Sequence, residues 1–266
     1  MTRLPVRLGT INMSIKSSQH RRRWILGARM SSKDPVSEAA KAVQEVAKAT
    51  GKAIDATQAF GGFISRYVAG PLEQGMKIFE DKLKYMRWER QVRLMQRSEQ
   101  LLRESGLTGP TRAIPLKLAI PLLEAASLED DDYLQDLWAR LLVNGANGGS
   151  HVSLERAHIA ILEQLTPLEA VILQKIYSLP YDEIRHHGVI AGKLPDDVSI
   201  WGEPSYIGER IGHGEPPEEV RLALANLARL DCIAIEKSAG GGEIFNRVIP
   251  TLVGKTFVEA CTLRAA

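Results

Sequence analysis

The sequence is poor in the features that usually announce a function. Its 266 residues include only two cysteines, Cys232 and Cys261. Two thiols are too few for a disulfide framework, and their spacing is not the CxxC of a zinc site, so a reduced, cytoplasmic setting is expected. No stretch reaches the roughly 18 uninterrupted apolar residues that a bilayer span requires. The most apolar window, residues 53–72, carries Asp55 and Arg66, which argues against a simple spanning helix. Also missing are a phosphate-binding glycine–lysine loop, a GxSxG nucleophile elbow and an HExxH zinc pair. Nothing in this inventory points to an enzyme, a cofactor or a bound metal, and a non-enzymatic protein is expected.

What is present is an ordinary globular composition, 44% hydrophobic and 25% charged, with room for one large domain or two modest ones. The net charge of +2 hides an asymmetry. Residues 1–30 carry seven bases and no acid, leaving −5 on the remainder. Residues 1–34 therefore read as a basic, disordered arm of the kind that meets nucleic acid or anionic lipid. The apolar core of "HRRRWILGA" is too short for a secretory signal. Met30, followed by "SSKDPVSEAA", also reads as a natural start, so the arm carries no functional weight.

Residues 35–178 read as a helical core. Val36, Ala39/Ala40, Val43, Val46/Ala47 and Ile54 recur at three- and four-residue steps, with a break or a close-packing point expected at Gly61–Gly62. This thin apolar stripe also suits a helix lying on a membrane, which leaves peripheral membrane contact open. A long helix is expected over Met76–Glu104, with Leu83, Leu94 and Leu101 on an apolar strip. On that helix Arg90, Arg93 and Arg97 fall within about 60° of one another. This basic ridge is the candidate contact for an anion or a partner, and the acidic neighbours favour an internal or oligomeric role. "IPLKLAIPLLEAAS" (114–127) reads as a buried helical segment interrupted at Pro121.

Glu129, Asp130, Asp131 and Asp132 then stand side by side. Four carboxylates in a row suggest a metal, but a metal needs further ligands converging from elsewhere. His151 and His158 follow at a spacing that is no ligand motif. Helix initiation explains the run better. Ser127 and Asp130 have the spacing of an N-terminal cap, and Leu134, Leu137/Trp138 and Leu141/Leu142 form one helix face. "NGANGG" is expected to stop that helix with residues tolerant of left-handed backbone. Another helix is expected over about 154–165. "TPLE" (166–169) then opens the next, with Thr166 as cap, Pro167 in the first position and Glu169 closing a capping box.

Residues 179–205 show no sustained period and read as an irregular connection. Its histidines His186 and His187, with His213, Asp182, Glu183 and Asp196/Asp197, match no metal-ligand spacing. Residues 206–266 are better patterned: a helix in "PPEEVRLALANLARL", a hairpin of "IAIEK" and "IFNRVI" around a glycine tip, and a closing helix in "TLVGKTFVEACTL". Helix, hairpin, helix is winged-helix grammar. Residues 215–261 hold seven acids against five bases, which disfavours DNA and favours a protein contact.

"IPLLEAASLEDDDYLQDLWARLLVNGA" followed by "HIAILEQLTPLEAVILQKI" resembles the bacterial abortive infection alpha family. Trp138, Ala139, Leu141 and Leu142 match its L-x-x-L-W-A-x-L-L helix. Leu162, Gln164, Leu165, Thr166, Pro167 and Ala170 match its Q-L-(S/T)-P-L-(D/E)-A motif. The likeness covers about Leu72–Tyr177 well and the C-terminal unit more loosely, while the basic arm departs from it. It implies a bacterial phage-defence protein and brings no catalytic residues. The expected fold is mainly α, a multi-helix core with a C-terminal winged-helix-like α+β unit, burying Trp138, Leu141, Leu142, Leu165 and Leu224. The expected function is non-enzymatic defence through protein contacts and self-association as a homo-oligomer. The alternatives are a winged-helix DNA-binding regulator and a membrane-acting effector using the N-terminal helices.

Overall fold

Apolar residues at helical spacing need a facing surface, and the chain supplies it by folding its helices back on one another. The computed structural model describes residue 55 and residues 58–69, 88–202 and 214–263. The expectations for the basic arm, the Met30 start, residues 76–87 and His213 lie outside those residues. The described elements fall within a single unit, Ala47–Ala266.

Helix α1 (58–67) leads into strand β1 (Val68–Ala69), which pairs in parallel with β2 (Ile114–Pro115). Of the two readings of Gly61–Gly62, the break does not occur, because the helix runs through both glycines. Between these strands lies α2 (Trp88–Glu104), and after them α3 (Leu116–Leu128) and α4 (Asp132–Gly145). Helix α4 lies along α2 and against α3. Its Leu134, Leu137, Trp138, Leu141 and Leu142 are buried with Leu94, Leu101 and Leu102 of α2 and Leu122 and Leu123 of α3 in the same core cluster. Each such side chain stabilises the fold by about 1.5–3 kcal/mol through removal from water.

The interruption expected at Pro121 is also absent: α3 is continuous through it. Proline removes the hydrogen bond to the carbonyl four residues back. That carbonyl belongs to Lys117, an exposed residue of the first turn, so the missing donor leaves no buried carbonyl unpaired there.

Helices α5 (Arg156–Leu162) and α6 (Pro167–Ile176) follow. The box that opens α6 is reciprocal. Thr166 Oγ1 accepts from the Glu169 amide at 3.3 Å, and Glu169 Oε2 accepts from the Thr166 amide at 2.7 Å. The other carboxylate oxygen of Glu169 accepts from Asn226 Nδ2 at 2.8 Å, so a buried acid is satisfied from two elements.

Where residues 179–205 read as irregular, the structure forms α7 (Tyr181–His187), β3 (Val189–Ile190) and β4 (Ser199–Ile200). The C-terminal part adds α8 (Glu218–Arg229), β5 (Ile233–Lys237), β6 (Glu243–Pro250) and α9 (Leu252–Ala260). One antiparallel sheet, ordered β4-β3-β6-β5, joins the two segments. The fold is thus mainly α with a small C-terminal α+β unit. Trp138, Leu141, Leu142, Leu165 and Leu224 are all buried.

A small set of polar contacts fixes the C-terminal unit onto the helices. Tyr177 Oη donates to the Cys232 carbonyl at 2.7 Å and accepts from the Thr251 amide at 2.9 Å. Gly254 permits this, since a β-carbon there would collide with both the Cys232 carbonyl and the Tyr177 hydroxyl. Asn144, at the end of α4, donates from Nδ2 to the carbonyls of Ala260 at 2.8 Å and Thr262 at 3.0 Å.

Candidate functional site

The basic ridge of α2 and the acid run before α4 meet. Arg90 Nη1 donates to Asp132 Oδ1 at 2.5 Å, and its Nη2 donates to the Asp130 carbonyl. Arg93 Nη2 donates to the Asp132 carbonyl at 3.0 Å and to Asp136 Oδ1 at 3.3 Å. Arg93 Nε also lies 3.3 Å from Asp132 Oδ1, at an angle too poor for a hydrogen bond, so that contact is Coulombic only. Arg97 Nε donates to Asp136 Oδ2 at 3.0 Å. The arginines are therefore engaged by acids of their own chain, one helical turn after another. The hydrogen bond from Arg90, and then the charge of Arg93, hold the Asp132 carboxyl below the usual carboxylate range.

Three of the four carboxylates have separate tasks, Asp132 in the ladder just described. Asp131 is the N-cap of α4, its Oδ1 accepting from the amides of Tyr133 and Leu134 at 2.9 Å each. The cap expected at Ser127 is corrected by this geometry. Ser127 is buried inside α3, where its hydroxyl donates to the Leu123 carbonyl at 2.7 Å. Glu129 Oε1 accepts from the Asp131 amide at 3.0 Å. Among the described residues, no group of three or more His, Cys, Asp or Glu side chains is placed to hold a metal. Asp182 pairs with Arg185 at 3.4 Å and Asp197 with Lys193 at 3.8 Å. Burial pushes the Cys232 thiol up to about 12 and raises Cys261 as well, which disfavours the thiolate form of both.

The end of α4 is held differently from the expectation. Among the described residues of "NGANGG", none takes the left-handed conformation. Instead Arg112 collects the loose carbonyls. Its Nε donates to Gly145 at 2.9 Å, and its Nη2 donates to Asn144 at 3.1 Å and to Val152 at 3.0 Å. Thr111 Oγ1 accepts from the Gly148 amide at 2.8 Å. A glycine-rich loop is thereby tied down from one side.

On its other side that loop borders a cavity of about 870 Å³, closed by the start of α5 and by α9. His151 and His158 both line it, together with Glu155, Glu259, Asn147 and Ser150. His158 is 4% exposed, and its Nδ1 accepts from the Glu155 amide at 3.4 Å. Burial lowers its pKa below the ordinary 6.5, with the Glu155 charge acting in the opposite sense. The seven-residue spacing of these histidines gave no hint of a shared cavity. The wall that completes it comes from α9, about a hundred residues downstream.

A helical bundle closed by an antiparallel α+β unit is the class that these elements define. The family model for abortive infection alpha matches residues 89–261. This is well over half of the chain, which belongs to that family and so to a group tied to abortive infection, a bacterial defence against phage. No curated protein and no solved structure matches. Among the described residues, no helix is long and apolar enough to cross a membrane.

Proposed function

We propose that this chain is a non-enzymatic phage-defence protein that acts through protein contacts and self-association, using a winged-helix-like C-terminal unit. The order β3-β6-β5, with α8 immediately before the hairpin, supports the winged-helix reading. In that architecture α8 is the helix that would enter a DNA groove.

One observation favours a protein partner over DNA: the outward face of α8. Glu218, Glu219 and Leu222 are exposed there, Leu222 to 67%. The nearby bases are already engaged. Arg221 meets Glu215 at 3.2 Å, and Arg229 donates to Gln164 at 3.0 Å and Asn226 at 2.7 Å. The acids repel phosphates, and the exposed leucine among them suits an apolar contact rimmed by charge.

Light scattering on the full chain and on Leu222→Glu tests the reading. Self-association that weakens in the variant supports it, and a chain that is monomeric at every concentration sinks it. Duplex DNA binding with a steep salt dependence would favour the regulator instead. Flotation with liposomes would favour the membrane effector. The non-enzymatic part predicts that Asp131→Asn/Asp132→Asn keeps phage defence intact, since asparagine also caps helices well.

A further inference from the structure

Charge on the solvent face of α8 is sorted by position. At about 100° per residue, Glu218, Glu219, Ala225, Asn226 and Arg229 all fall within about 60° of Leu222. Val220, Leu224 and Leu227 take the opposite side and are buried. The acids occupy the first turn and the base the last, with Leu222 between them. Among the described residues, neither Glu218 nor Glu219 has an ion pair, whereas Glu215 is taken up by Arg221 at 3.2 Å. The hydrogen bonds of Arg229 go to the neutral amide oxygens of Asn226 and Gln164, so its charge is not cancelled. Leu222, at 67%, is the most exposed large apolar side chain among the described residues.

Such a face complements itself, but in one orientation only. Two copies laid parallel set acid against acid and arginine against arginine, which costs affinity. Laid antiparallel about a two-fold axis at Leu222, they set each acidic turn near Arg229 of the second copy and bring the two leucines together. With a rise of about 1.5 Å per residue, Glu218 lies about 6 Å before Leu222 and Arg229 about 10.5 Å beyond it. The antiparallel pair therefore leaves an offset of about 4.5 Å along the axis, which a long arginine side chain spans.

We propose that α8 pairs with α8 of a second copy of this chain, antiparallel about a two-fold axis at Leu222, with Glu218 and Glu219 of each copy facing Arg229 of the other. This rests on the protein-contact reading of the same face and adds its partner and its geometry. The contact is small. Twelve residues make a helix about 18 Å long and about 10 Å wide, a strip well under the roughly 800 Å² per partner of a stable dimer. The pair is therefore weak, and it forms as the concentration of the chain rises.

Disulfide trapping on the full chain tests the geometry. Facing α-carbons of packed helices come within the separation of about 4.4–6.8 Å that a disulfide bridges. Under mild oxidation Leu222→Cys should cross-link to itself about tenfold faster than Leu128→Cys, a similarly exposed leucine of α3, because pairing raises its effective concentration. Cys232 and Cys261 are buried and do not compete. Arg229→Cys should stay uncross-linked, since its two copies stand about 21 Å apart along the axis. In sedimentation equilibrium, Glu218→Arg/Glu219→Arg and Arg229→Glu should each weaken dimerisation about tenfold, the scale of two surface pairs turned from attraction to repulsion. Combining all three substitutions in one chain should restore it. The trapping variants each alter one exposed side chain, so they stand even if the charge variants fold poorly. The proposal is overturned by equal trapping at residues 222 and 128, or by a combined variant that dimerises no better than its parents. Faster trapping through Arg229→Cys also overturns it, because it marks a parallel pair. If association is nonetheless lost in Leu222→Glu, self-association stands on another geometry. A chain that is monomeric at every concentration removes both readings.

Discussion

Along α2 and α4 the contact is broad: leucines and Trp138 inside, and a ladder of Arg90, Arg93 and Arg97 against Asp132 and Asp136 along the edge. Where the C-terminal unit meets the helices, a few polar side chains fix the geometry instead: Asn144, Tyr177 and the Glu169–Asn226 pair. The first kind of seam spreads its energy over many side chains and is insensitive to any one exposed ion pair. The second concentrates specificity in groups that have no substitute. Stability and position are thus assigned to different regions of the molecule.

The strongest way to break this contrast is from inside the broad seam. Leu141→Asp puts an unpaired carboxylate where the leucine is fully buried, and is expected to cost about 3–5 kcal/mol in chemical denaturation. Gly254→Ala tests the other seam. Forcing the Cys232 carbonyl and the Tyr177 hydroxyl apart is expected to cost about 1–3 kcal/mol. In a double-mutant cycle Gly254→Ala and Tyr177→Phe should be non-additive, since both act on one contact. Asn144→Ala leaves the carbonyls of Ala260 and Thr262 without their donor and is expected to cost about 1–3 kcal/mol. Protease sensitivity near residue 260 should rise with it.

A pH titration gives a smaller effect. Burial holds the native pKa of His158 below the ordinary 6.5, so the unfolded chain takes up that proton first as pH falls. Stability therefore declines from about pH 6.5 downward and levels off below the lowered native value. His158→Gln should flatten that part of the curve in thermal melts. The smallest effect belongs to the ladder. Asp132→Asn removes the charge of a side chain that is 68% exposed, and the melting temperature of the variant should match that of the parent.

How much of this was legible in the sequence follows the same division. The α4 face was readable because its apolar period runs unbroken from Leu134 to Leu142, and the Thr166–Glu169 box because its residues are local. The cap at Ser127 was misplaced because Ser127 and Asp131 both have serviceable spacing. Only the continuation of α3 through Pro121 decides between them. Strands β3 and β4 have two residues each, too few to show a period, and β3 pairs with β6 nearly sixty residues away. The cavity was invisible for a similar reason. His158 and Glu259 are about a hundred residues apart, and nothing local to either marks the other.

The Asn144 contact also bears on the order in which the protein can be made. Among the described residues, the side-chain amide at the end of α4 is satisfied by carbonyls that lie 116 and 118 residues further along the chain. During synthesis, α2, α3 and α4 can collapse on one another early, because their partners are close in sequence. The last turn of α4 cannot take its final bonds until α9 has left the ribosome. A nascent chain arrested before residue 260 should therefore carry a protected α4 centre and an exchanging end, which pulsed hydrogen exchange on stalled ribosomes would detect.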